Sequence, residues 1–101
     1  MRANKIDTNH TDIVADLRDM GYRVLSLASL KNACDLLVFN AERYELFEVK
    51  SPEYCKGIKG MCQEEREKFL TDGEAIFAEG FRVWIVISAK EVDVIFKGYR
   101  L

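Results

Sequence analysis

Apolar side chains recur at helical spacing over residues 8–20, which predicts an amphipathic helix near the start of the chain. Asn9 and Asp12 have the spacing of a capping box at its beginning. Gly21 should end the helix, because glycine readily takes the left-handed conformation that follows a last helical turn. The apolar stripe of this helix consists of Ile13, Val14, Leu17 and Met20.

A second apolar stripe with the same spacing predicts a helix from about residue 61 to residue 79, ended by Gly80. Gly73 lies within the stripe and indicates close backbone packing at that point. Residues 51–60 precede this helix and are interpreted as a basic, flexible loop. The stripe consists of Phe69, Leu70, Gly73, Ile76 and Phe77, and the loop contains Pro52, Lys56, Gly57, Lys59 and Gly60.

Shorter apolar runs predict four strands, and the connection over residues 40–43 has the length of a hairpin turn. After the last strand, Ser88 and Glu91 have capping-box spacing, which predicts a short final helical turn. Residues 94–96 either continue that turn or form an edge strand. The order α-β-β-β-α-β predicts a layered α/β domain. The predicted strands are residues 22–27, 34–39, 44–50 and 81–87.

The length of 101 residues fits one domain over residues 1–101, and 49% of the residues are hydrophobic, as in ordinary globular proteins. A net charge of -2 argues against a protein that coats nucleic acid, although carboxylates that hold metal ions would also lower the charge. The N-terminus has no signal-peptide pattern, and no apolar run is long enough for a membrane span. We therefore expect a cytoplasmic protein with three reduced cysteines.

The hairpin places three charged residues on one face of the predicted sheet. With the turn centred on residues 41–42, Asp35 lies opposite Glu48 with Cβ atoms about 5 Å apart, and Lys50 follows on the same face. Like charges opposite each other destabilise a sheet, so such a pair needs a cation, either Lys50 or a divalent metal. Alternatively, Glu48 and Lys50 are ordinary strand-end residues and Asp35 accepts a backbone hydrogen bond.

Three blocks of the chain resemble the VRR-NUC branch of the PD-(D/E)XK nucleases: residues 7–14 (DTNHTDIV), 34–38 (CDLLV) and 48–50 (EVK). The resemblance extends from about residue 5 to residue 95. It implies a restriction-endonuclease-like α-β-β-β-α-β core, a mixed central sheet flanked by helices. It also implies a Mg²⁺- or Mn²⁺-dependent DNA endonuclease that works as a homodimer on branched DNA, such as four-way (Holliday) junctions.

The resemblance also implies roles for individual residues. Asp35 and Glu48, with the backbone carbonyl of Val49, would bind the metal. Lys50 would orient the attacking water or stabilise the charge that develops on the phosphate. Asp12 would reach the metal directly or through water, unless it is only a helix cap, and Asn9 is a candidate accessory residue on the same helix.

The chain departs from the family pattern at three places, the first being Asp12, which is shorter than the Glu that is usual at this position. Cys34 stands where proline is usual before the first acidic residue, which changes the turn but no chemical group. The second helix usually begins with Thr-Pro and then Gln, whereas residues 61–65 are MCQEE. Either Gln63 serves from a shifted position or Glu65 occupies the place of the glutamine.

The remaining charged side chains suggest where a nucleic acid would bind. The best candidates for phosphate contacts are Lys56, Lys59, Arg66 and Lys68. Interleaved glutamates leave open that this is only a solvated charged face. His10, the single histidine, is expected on the surface of the first helix. The acidic pI and the altered glutamine motif also motivate an alternative function, a catalytically weak or inactive module that binds DNA or a protein partner.

Overall fold

A computed structural model describes residues 8–98 of the chain. Within this range, two single 3₁₀ turns lie in the connection between the third and fourth strands, at Ile58–Gly60 and Glu67–Phe69. The helices are α1 (Thr8–Asp19), α2 (Gln63–Arg66), α3 (Asp72–Gly80) and α4 (Ala89–Phe96). The strands are β1 (Arg23–Ser26), β2 (Leu36–Phe39), β3 (Tyr44–Val49) and β4 (Val83–Val86).

The four strands form one mixed sheet in the order β1-β2-β3-β4. The first three strands are antiparallel neighbours, and β4 lies parallel to β3. Leu36 pairs with Phe47 and Phe39 pairs with Tyr44, so one further step places Asp35 opposite Glu48. The predicted hairpin register and the α/β class with a mixed sheet are therefore confirmed.

Helices α1 and α4 cover one face of the sheet and close the larger core. Leu36 and Val38 of β2 point toward this core, whereas Leu37 and Phe39 point to the opposite face, as strand geometry requires. A smaller cluster lies on that opposite face, beneath the connection between β3 and β4. The buried residues of the large core are Ile13, Leu17, Leu36, Val38, Phe47, Val49, Val86, Ala89, Val92 and Ile95, and those of the small cluster are Cys55, Ile58 and Ile85.

The second predicted helix is not continuous. It consists of α2, a 3₁₀ turn that follows directly, and α3. Extended backbone at Leu70 and Thr71 separates the 3₁₀ turn from α3. Thr71 accepts a hydrogen bond from the backbone N–H of Glu74, and the Glu74 carboxylate accepts one from the N–H of Thr71, so a capping box begins a new helix there. Ile76, which was expected in the buried stripe, is exposed. The close packing predicted at Gly73 is confirmed, because a Cβ at this position would collide with the Asn32 side chain.

The first residues of α1 and α4 were not predicted equally well. Ser88 accepts a hydrogen bond from the N–H of Glu91 and begins α4, as predicted, and α4 continues through residues 94–96, so the edge-strand alternative is wrong. Asn9 lies inside α1 and is not its cap. None of the helices in residues 8–98 is long and apolar enough to cross a membrane.

Candidate functional site

Asp35, Glu48 and Lys50 come together on the face of the sheet opposite the large core. Asp35 precedes β2, and its Oδ2 accepts a hydrogen bond from the N–H of Val49 at 2.7 Å. Glu48 lies near the end of β3 with 4% of its surface exposed. The Lys50 Nζ is 3.7 Å from the Glu48 Oε2. The sequence left open that Asp35 only accepts a backbone hydrogen bond. The structure shows this bond together with the acidic pair.

Glu74 is a fourth member of this cluster that the sequence analysis missed. Its Oε1 lies 2.9 Å from the Lys50 Nζ and also accepts the hydrogen bond from the Thr71 N–H. The capping box of α3 therefore fixes the carboxylate that holds the lysine. The Thr-x-x-Glu pattern was visible in the sequence and could have located the start of α3, although it could not show that this helix end meets β3.

Three carboxyl groups around one ammonium group produce strong electrostatic coupling. Burial raises the pKa of Glu48 well above its usual range, and the neighbouring Asp35 and Glu74 raise it further. Burial alone would lower the pKa of Lys50, but the hydrogen bond and charge of Glu74 hold it above its ordinary value. Burial opposes ionisation of Glu74, yet its hydrogen bonds from Glu48, Thr71 and Lys50 lower its pKa. Without a further cation, Glu48 therefore keeps its proton at neutral pH.

The donor atoms of the cluster suit a hard divalent cation. Mg²⁺ and Mn²⁺ prefer oxygen ligands, and Mg²⁺ is often held by only one or two carboxylates together with water and substrate oxygens. Asp35 and Glu48 provide such a pair, and a cation beside them would favour the ionised form of Glu48 against its burial and the neighbouring carboxylates. Across residues 8–98, no group of three His, Cys, Asp or Glu side chains is arranged to hold a metal by itself. The cluster fits a two-carboxylate site and not a complete protein cage.

The two α1 residues of the predicted site have different surroundings. Asn9 donates a hydrogen bond from its Nδ2 to the carbonyl of Lys50 at 3.0 Å, so α1 is attached to the chain where β3 ends. The Oδ1 of Asn9 is buried and has no hydrogen-bond partner. Asp12 lies one turn later and is exposed, and no hydrogen bond or ion pair in the described part of the chain connects it to the cluster.

Gln63 and Glu65 are both held by hydrogen bonds within the fold. Gln63 donates to the carbonyl of Val83 and accepts from the N–H of Ile85, both at 3.0 Å, and so pairs with the open edge of β4 as a neighbouring strand would. Glu65 accepts a hydrogen bond from the Cys62 N–H at 3.0 Å and caps α2. Within residues 8–98 neither side chain is hydrogen-bonded to the acidic cluster, and an accessory role for either one stays a prediction.

Arg66 was predicted to contact phosphate, but only 1% of its surface is exposed. Its guanidinium forms a bidentate ion pair with the Glu91 carboxylate, with Nη1–Oε1 at 2.7 Å and Nη2–Oε2 at 2.9 Å. It also donates to the carbonyls of Ile58, Met61 and Ile85 at 2.9–3.1 Å. The prediction failed because the guanidinium turns into the fold, where Glu91 and backbone carbonyls accept its hydrogen bonds. Lys56, Lys59 and Lys68 are exposed and stay candidates for phosphate contacts.

His10 is buried, contrary to the expectation of a surface residue, and its Nε2 has no hydrogen-bond partner. It precedes Ile13 and Leu17 on the core-facing side of α1, which explains the burial.

The three cysteines are free. Burial, together with the nearby Glu48 and Asp35 charges, raises the pKa of the Cys34 thiol to about 11, so this thiol is protonated and a poor nucleophile.

Comparisons with known proteins found no matching family model, no matching curated protein and no matching solved structure. The arrangement of side chains within the chain therefore has to carry the functional argument. That arrangement is an acidic pair across a hairpin, a lysine beside it, and a helix-borne glutamate that holds the lysine.

Proposed function

We propose that this chain is a metal-dependent DNA endonuclease of the PD-(D/E)XK type, related to the VRR-NUC branch. The observation that carries the proposal is the placement of Asp35 directly opposite Glu48, with Lys50 at 3.7 Å from the second carboxylate. The order of the helices and strands, with β4 parallel to β3, also agrees with the core that the resemblance implies.

The energetics of the acidic pair support this proposal. Burying a carboxyl group beside two others is unfavourable, and a single ammonium group balances the charge of only one carboxylate. A domain that served only as a scaffold would be more stable with apolar residues at such positions. An enzyme that must hold a divalent cation needs this arrangement, because the carboxylates provide both the ligands and the negative charge.

Each residue of the cluster then has a chemical role. Asp35 and Glu48, with the carbonyl of Val49, would hold Mg²⁺ or Mn²⁺. When bound, such an ion lowers the pKa of a water molecule and polarises the phosphate. Lys50 supplies a fixed positive charge where negative charge develops on the phosphate oxygens. Glu74 holds the Lys50 ammonium in place through its 2.9 Å ion pair and is a positioning residue.

The preferred substrate and assembly follow from the resemblance. A homodimer with two-fold symmetry would present two such sites to a symmetric branched DNA, such as a four-way junction. We propose that the protein acts in this form on branched DNA in the cytoplasm.

One observation favours a second function. The charges of the cluster are paired internally, and Gln63 and Glu65 are occupied in the fold. A descendant of a nuclease that has lost catalysis, and that binds DNA or a protein partner, would also have these features. Activity measurements separate the two proposals.

The decisive assay is cleavage of labelled four-way-junction, flap and linear duplex DNA with Mn²⁺ or Mg²⁺, and with EDTA. We expect the wild-type protein to cut the junction only when metal is present. Lys50→Ala should reduce the rate by about 100-fold or more, because a fixed charge that acts on the transition state is removed. Asp35→Asn should abolish metal-dependent cutting.

Glu79→Gln is the matched control, because Glu79 is an exposed carboxylate at the other end of the helix that carries Glu74. This variant should cut at the wild-type rate. Full cleavage by folded Asp35→Asn would contradict the proposed site. A folded wild-type protein that cuts none of the DNAs would favour the binding module.

A further inference from the structure

The segment that follows Lys50 is a series of tight turns. We call residues 51–61 the turn loop. The N–H groups of Tyr54 and Cys55 both donate to the carbonyl of Ser51, at 3.1 and 3.0 Å. The N–H of Ile58 then donates to Cys55, and that of Met61 to Ile58. The flexible loop expected from the sequence thus has regular internal hydrogen bonding.

Buried side chains attach the turn loop to the sheet. Cys55 and Ile58 pack against Ile85 in the small core cluster. The Arg66 guanidinium donates to the carbonyls of Ile58 and Met61 from below, and its charge is balanced by Glu91. Because both the side chains and the backbone are held, the outward side chains of the loop project from a fixed base.

Those outward side chains include a large aromatic ring and two cations. Tyr54 is 78% exposed, the highest value among the exposed large hydrophobic residues that the structure describes. Lys56 and Lys59 are also exposed. The Ser51–Tyr54 turn reverses the chain, so Tyr54 lies beside the segment that leads out of the acidic cluster. An aromatic ring in this position adds little to the core and is available to a ligand.

We propose that the turn loop binds a nucleic-acid strand with unpaired bases, with Tyr54 stacking on a base and Lys56 and Lys59 contacting phosphates. An exposed ring next to cations is the arrangement that recognises single strands, because every base has a face for stacking and every nucleotide carries a phosphate. The bases of an intact duplex already stack on each other and offer no free face.

This inference deepens the proposed function, since it identifies the substrate class as DNA with unpaired bases close to the cluster. Flaps and gaps contain such bases, and the open centre of a junction exposes base faces that are not stacked on a neighbour. Negative charge elsewhere on the chain, which has a net charge of -2, would limit binding to this local surface.

The test is fluorescence anisotropy in EDTA, where cleavage does not interfere, with a labelled oligo-dT strand and a labelled duplex of equal length. We expect the wild-type protein to bind the single strand more tightly than the duplex. Tyr54→Ala should weaken single-strand binding by roughly 5- to 100-fold, whereas Tyr54→Phe should bind like the wild type, because the ring and not the hydroxyl makes the contact.

Tyr44→Ala is the matched control. Tyr44 is 64% exposed but begins β3, about 20 Å from the loop at the other end of that strand. This variant should bind normally. Replacing the bases of the probe with abasic sites should weaken the wild type and leave Tyr54→Ala almost unchanged, since the contact is already missing in that variant.

The lysines are tested through salt dependence. Lys56→Gln and Lys59→Gln should each reduce the slope of log affinity against log salt by about 0.7, and Lys90→Gln, an exposed lysine on α4, should not. Equal binding by Tyr54→Ala and the wild type would overturn the inference, as would no binding of the single strand by the wild type. Either result leaves the proposed function intact if metal-dependent cleavage by the wild type still requires Asp35.

Discussion

Arg66 connects four segments of the chain from a buried position. It belongs to α2, and its guanidinium contacts Glu91 of α4, a carbonyl of β4 and three carbonyls of the turn loop. Arg66→Met would remove a hydrogen-bonded charge and leave Glu91 without its ion-pair partner. We expect a loss of about 3–5 kcal/mol in the free energy of unfolding, measured by urea denaturation.

Lys68→Gln provides the comparison, because this nearby lysine is exposed. It should change the free energy of unfolding by less than about 0.5 kcal/mol. If Arg66→Met were equally mild, the interpretation of Arg66 as a structural connector would be wrong.

The raised pKa of Glu48 predicts a dependence of stability on pH. In the unfolded chain this carboxyl group has its ordinary pKa of 4.5. In the folded protein burial raises the pKa most, and the negative charge of Asp35 raises it further. The stability due to the protonated group is therefore complete below the unfolded pKa and is lost as pH rises through the folded one. The slope is at most about 1.4 kcal/mol per pH unit.

Urea unfolding in EDTA at several pH values between about 6 and 9 measures this effect, since the unfolded carboxyl group is ionised over that whole interval. The wild type should lose stability toward the alkaline end. Glu48→Gln cannot ionise and should show a much flatter profile. An identical profile for the two proteins would show that the Glu48 proton is not coupled to folding.

The placements that sequence analysis predicted correctly are those set by local geometry. Asp35 and Glu48 face each other because a short hairpin fixes their register, so the turn position alone was sufficient. Glu74 and Arg66 depend on contacts with residues 24 and 25 positions away. Such contacts are set by the packing of α2, α3 and α4 on the sheet, which periodicity does not determine.

At the level of elements, the start of α3 decides where Glu74 lies. The apolar stripe from Phe69 to Phe77 led periodicity to predict one helix over residues 61–79, whereas the capping box at Thr71 divides it. The close approach of Gly73 to Asn32 then places the first turn of α3 against the loop before Asp35. Local hydrogen bonding at a cap outweighed the continuity of the hydrophobic pattern.

Gly73→Ala tests this close approach. The added methyl group would displace the Asn32 side chain, and we expect a loss of about 1–2 kcal/mol in urea unfolding, within the range for overpacked sites. Asn32→Gly removes the obstructing amide and suits the left-handed backbone at this position, where φ is 62°. The double variant should therefore regain the stability that Gly73→Ala loses. Equal losses by Gly73→Ala with and without Asn32→Gly would show that the two positions are independent.

At the scale of the whole molecule, the connection between the parallel strands β3 and β4 completes the site. The hairpin contributes the acidic pair, and the connection then crosses the same face with the turn loop, α2 and α3 and brings Glu74 back to Lys50. The sequence was sufficient for the α/β class, because strand and helix periods are local. The course of the long connection could not be predicted from the sequence, because it depends on how Arg66, Cys55 and Ile58 pack beneath the chain.

Mn²⁺ binding, measured by isothermal titration calorimetry without DNA, tests most directly whether the acidic cluster is a metal site. We expect the wild type to bind Mn²⁺, and Asp35→Asn to bind at least about tenfold more weakly because a direct ligand is lost. Asp16→Asn, which changes an exposed carboxylate on α1, should bind like the wild type. No Mn²⁺ binding by the folded wild type, or equal binding by Asp35→Asn, would contradict the assignment of the cluster as a metal site.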